Sequence, residues 1–163
     1  MPRKILTTKK THPNANKLFT KMFSPVKYLM GAITKPDYSQ RFPILCKNHM
    51  AIKLLREEQL PYEMFQPLMD MVNMVITINT LFFTSGLEDA YNARDSIKNI
   101  GQRFLQSKKF KATEEELDTL VKIVFMHEIQ LETCTVYEME QAYDRMMQQL
   151  NTGEGVIKIN QIN

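Results

Sequence analysis

Pro61-Tyr-Glu-Met-Phe-Gln-Pro-Leu-Met-Asp-Met-Val-Asn-Met-Val-Ile-Thr-Ile-Asn-Thr-Leu-Phe-Phe83 is the most apolar stretch of this 163-residue chain. Proline fits the first position of a helix, where the missing N–H would have had no partner. The spacing predicts one helix from Pro61 to about Phe83. A helix that is apolar nearly all round belongs in the middle of a bundle. It carries a single polar stripe: Glu63, Gln66, Asp70, Asn73, Thr77, Thr80 and Thr84 follow at steps of three or four and share one face. Such a stripe reads either as a modestly exposed face or as a contact surface, because weakly charged polar groups can be buried at lower cost than ions. Asp70 and Asn73 interrupt the run, and no apolar run reaches the ~18 residues a membrane span requires.

Working outward, all seven prolines lie at or before Pro67. The chain therefore divides into a proline-punctuated N-terminal third and a helical body. Ser24-Pro25 starts a short helix that Gly31 can close. Asp37 to Pro43 is expected to be a loop, and the first long helix is expected from Cys46 to Gln59. After the central helix, Ser85-Gly-Leu-Glu88 matches a capping box and opens a helix to about Ser107. Thr113-Glu-Glu-Glu116 is a second capping box with acids in the first turn. From there an apolar near-heptad stripe runs through Leu117, Val121, Val124, Leu131, Met139, Ala142, Met146 and Leu150. A continuous helix of that length would exceed ~50 Å. Either it breaks at Thr133-Cys-Thr-Val136, where β-branched residues weaken it, or its end projects and needs a cover. The last residues, from Gly153 to Asn163, read as an extended tail. The fold class is all-α: four main helices over residues 46–150, a basic arm with one short helix over 1–45, and a short tail over 151–163.

With 44% hydrophobic and 24% charged residues, the chain has the composition of a globular domain. Its net charge of +3 conceals a split, since residues 1–47 hold ten of the 21 Lys/Arg and only one of the 18 acids. A basic arm on an acidic body implies an acidic partner. Lys4, Lys9, Lys10, Lys17, Lys21 and Lys27 are interleaved with Phe19 and Phe23, a pattern that gives phosphate attraction plus aromatic faces for stacking on bases. The start carries charge without an apolar core behind it, so no secretory signal is read there. Cys46 and Cys134 have no CxxC spacing and are expected to be free thiols in a reducing, cytoplasmic setting.

Signals for catalysis are thin. Glu128 falls inside the apolar stripe of the last helix and is expected to be a buried structural carboxylate paired with Arg94, Arg103, Arg56 or Lys53. His127-Glu128 begins a zinc-protease helix pattern, but position 131 is Leu, so the second imidazole is missing. No Gly-x-Ser-x-Gly elbow and no phosphate-cradling glycine loop is present. The sequence thus reads as a non-enzymatic binding protein, an adaptor, inhibitor or accessory subunit without cofactor or metal. Nucleic-acid binding through the arm is the alternative, and an enzyme ranks third. Met139, Ala142, Met146, Met147 and Leu150 form the expected protein interface, with a homodimer covering the stripe.

Overall fold

The computed structural model describes residues 34–153. They form five helices: α1 (Tyr38–Arg56), α2 (Tyr62–Phe82), α3 (Leu87–Ser107), α4 (Glu114–Thr133) and α5 (Val136–Thr152). No strand occurs among the described residues. No helix among them is long and apolar enough to cross a membrane. The short helix expected at Pro25, the basic residues Lys4 to Lys27 and the tail beyond Gly153 lie outside the described residues.

The central position expected for the 61–83 stretch is what the structure shows. α2 packs against each of the other four helices. Phe65, Leu68, Met69, Val72, Val75 and Ile78 are buried on its several sides. Its polar stripe divides into three parts. Asn73 and Thr77 are buried, and Thr77 Oγ1 lies 2.9 Å from the Asn73 carbonyl, its nearer acceptor, and 3.4 Å from Gln149 Oε1 of α5. Gln66 and Asp70 remain half-buried, and Thr80 and Thr84 are exposed.

The start of α1 corrects one expectation. Asp37 to Pro43 is helix from Tyr38 on, not loop, with Asp37 as N-cap and Gln40 closing a capping box. Pro43 lies inside α1 and Pro67 inside α2, each five residues from the first helical residue. At that offset the carbonyls left without a donor belong to Ser39 and Glu63. Both residues are exposed in the first turn, where water can take over.

Two further local differences have physical causes. α3 opens without the Ser85 cap, because Gly86 is its N-cap, in the left-handed region at φ 80°. That backbone conformation favours glycine, and a Cβ there would also come within 2.6 Å of the Met126 methyl and displace the end of that side chain. The Thr113 capping box, by contrast, is present as read: Thr113 accepts from the Glu116 N–H, and Glu116 accepts from the Thr113 N–H at 2.8 Å. Glu116 also takes Arg103, whose Nε donates to the Lys111 carbonyl. That clamp ties α3 to α4 across the intervening loop.

Of the two alternatives for the last helix, the break occurs. Cys134 adopts extended backbone, and Thr135 caps α5 in a capping box with Glu138. The Thr34 carbonyl accepts the Val136 N–H at 2.8 Å, so the segment leading into α1 satisfies one of the first donors of α5. α5 then lies back along α2.

Candidate functional site

A cleft lies beside the contact of α5 with α2. Residues of α1, α2, α4 and α5 surround its ≈ 570 Å³, a volume typical of ligand sites. α2 contributes Gln66, Pro67, Asp70, Met71 and Met74. α5 contributes Met139, Tyr143, Met146, Met147 and Leu150. Ile44, Lys47 and Asn48 come from α1, His127 and Leu131 from α4. Five of these side chains are methionines. Methionine is unbranched and polarisable, so a wall of it adapts to the shape of what it touches.

The polar groups of the cleft occupy distinct environments. His127 is buried, with Asn48 Nδ2 at 3.1 Å from its Nδ1. Desolvation brings its pKa down to about 4, so the ring is neutral near pH 7. With Asn48 as donor, Nδ1 accepts and the ring proton resides on Nε2. Asp70 is half-buried and accepts from Gln66 Nε2 at 2.7 Å. Burial raises its carboxyl above the ordinary range, against the pull of the Gln66 hydrogen bond and of Lys47. Among the described residues no Lys or Arg comes within salt-bridge distance of Asp70.

The expected interface residues are distributed over this site. Ala142 and Met146 are buried, Met139 and Leu150 half-buried, and Met147 is 38% exposed. Except for Ala142, all of them line the cleft. The reason given for a dimer, an apolar helix end projecting beyond the bundle, is absent among the described residues because α5 folds back onto α2.

Glu128 departs from expectation in both burial and partner. It is partly exposed, and it pairs with His49 of α1 rather than with an arginine or lysine. Of the stripe read from the sequence, Leu117, Val124 and Leu131 are buried and Val121 packs against the core, while Glu128 lies at the edge of that face. Leu120, Ile123, Val124, His127, Gln130 and Leu131 face inward, while Phe125 and Ile129 are 53% and 60% exposed. The inward polar residues have polar partners, Asn48 for His127 and Asn79 for Gln130, the latter at 2.8 Å. Sequence reading missed His127 as a site residue. Its signal was position: it lies three residues after Val124 and four before Leu131.

No group of three or more His, Cys, Asp or Glu side chains among the described residues could hold a metal ion. Cys46 is exposed and Cys134 buried, both as free thiols. Burial, reinforced by Glu138, pushes the Cys134 thiol up to about 11. A thiol-specific reagent at pH 8 is therefore expected to label one described cysteine, Cys46, in the native protein within minutes, and Cys134 only in denaturant. Mass spectrometry of the labelled peptides reads the result, and rapid native labelling of Cys134 would contradict it.

No protein-family model, no curated protein and no solved structure matches this chain.

Proposed function

We propose that this chain is a non-enzymatic binding protein, an adaptor, inhibitor or accessory subunit that holds an apolar segment of a partner protein in the methionine cleft. The supporting observation is the lining: Met71, Met74, Met139, Met146 and Met147 converge from two helices on a cleft that Lys47 and Asp70 also line. An adaptable apolar groove with a few polar groups at its edge is how proteins take up an amphipathic helix. A reducing, cytoplasmic setting suits the two free thiols. The nucleic-acid alternative rests on the basic composition of the arm over residues 1–45, most of which lies outside the described residues; within the described part Lys35 is exposed and Arg41 is held by Glu132 at 3.1 Å.

The test is selection of a phage-displayed library of helix-forming 18-residue peptides on the full chain. Binding of the enriched peptides is then mapped on protein carrying carbon-13 methionine methyls. Enriched peptides should shift the Met71, Met74, Met139, Met146 and Met147 methyls and leave Met50 and Met64 in place. An unenriched library, or shifts centred on Met50 or Met64, would refute the reading.

A further inference from the structure

We infer that the segment taken into the methionine cleft is a cationic amphipathic helix, one that places a single Lys or Arg against Asp70 among apolar side chains. This rests on the cleft being a peptide-binding groove. The carboxylate and Gln66, half-buried members of the α2 polar stripe, both line the cleft. Gln66, one turn earlier on the same helix, donates to the carboxylate at 2.7 Å, which leaves further acceptor positions on its two oxygens. Met71 and Met74 continue the same wall. A carboxylate half removed from water is costly unless an opposite charge joins it. Among the described residues Lys47 acts on it only from beyond salt-bridge distance, and an arriving ammonium or guanidinium supplies the contact charge.

The opposing charge at the cleft, Lys47, does not reverse this preference. Lys47 is exposed, and an exposed charge is screened by solvent and salt far more than a half-buried one. The deeper, less screened group sets which sign of charge gains from entering. The methylene stem of Lys or Arg can lie along the methionine wall while its head reaches Asp70.

The displayed library reads the inference directly. Peptides selected on the full chain should carry Lys or Arg at one fixed position flanked by Leu, Ile, Met or Phe three or four residues away. Asp70→Asn keeps the Gln66 contact and removes only the charge. It should weaken those peptides about tenfold or more while peptides with a neutral residue at that position keep their affinity. Asp70→Lys, selected afresh, should enrich Asp or Glu there. Enriched binders that shift the cleft methyls but show no preference for Lys or Arg, or that bind Asp70→Asn as tightly as the native chain, would overturn this inference and leave the peptide-groove reading standing. A library with no binders overturns both, as it would if a segment of the chain itself filled the cleft.

Discussion

Phe110→Ala is expected to lower the unfolding free energy by ~3–5 kcal/mol, the range for removing a buried aromatic ring. Phe110 sits between α3 and α4 in Lys108-Lys-Phe-Lys111, a loop whose charges suggest a solvated turn. Its ring is nevertheless only 3% exposed. It stacks on Phe65 at 4.3 Å and on Phe104 at 4.1 Å between centroids, with Tyr62 at 6.5 Å. Two close aromatic pairs add to the burial of the ring. Lys108 makes the placement possible by turning the backbone through the left-handed region at φ 58° directly after α3. Urea unfolding followed by circular dichroism should show the loss as a lower midpoint with little change in slope. Lys109→Ala, one residue away and exposed, should move stability by less than ~0.5 kcal/mol. A Phe110→Ala loss below ~1.5 kcal/mol would mean that the aromatic stack does not anchor the loop.

The helices were legible where one physical signal dominated. Apolar residues on every side of 61–83 placed α2 at the centre, and the Thr113–Glu116 spacing placed the start of α4. The sequence failed where two signals competed. Asp37 and Gln40 form as good a capping box as Thr113 and Glu116, but Pro43 behind them reads as a breaker. What decides is how far the proline lies from the helix start, because an early proline leaves only carbonyls that water can reach. In α4 the apolar stripe Leu117, Val124 and Leu131 was read correctly, but Glu128 was placed inside it while the inward His127 and Gln130 were passed over. Polar residues inside a core are invisible to periodicity, since their partners, Asn48 and Asn79, are 79 and 51 residues away in the chain. The site was half legible for the same reason. The methionines and Leu150 were recognised as a contact set, but the surface they contact is supplied by α1 and α2 once α5 turns at Cys134. Asp70 was seen as part of a stripe, and its place at the cleft appears only once α1, α4 and α5 are packed around α2.

Acidification is expected to destabilise the fold through His127, by up to about 3 kcal/mol between pH 7 and pH 4. In the unfolded chain the imidazole titrates near 6.5, and in the buried site at about 4. A folded pKa below the unfolded one means that the unfolded state takes up the proton first. The stability is therefore fully present above pH 6.5 and is lost progressively as pH falls toward 4, at about 1.4 kcal/mol per unit. The geometry gives the loss a local cause. Once Nδ1 carries a proton it can no longer accept from Asn48 Nδ2, and two donors face each other in a buried space. Asp70 acts in the opposite sense. Its raised carboxyl means that the folded state takes up a proton more readily, so acid relieves its burial and opposes the His127 loss. Urea midpoints measured at half-unit steps should fall as the pH drops below 6.5 in the native chain. In His127→Gln, which keeps an acceptor for Asn48 without a titrating ring, the midpoint should begin lower at pH 7 and change much less with pH. Asp70→Asn should steepen the fall on acidification by removing the opposing contribution. Equal pH slopes for the native chain and His127→Gln would show that the neutral buried imidazole contributes nothing to acid sensitivity.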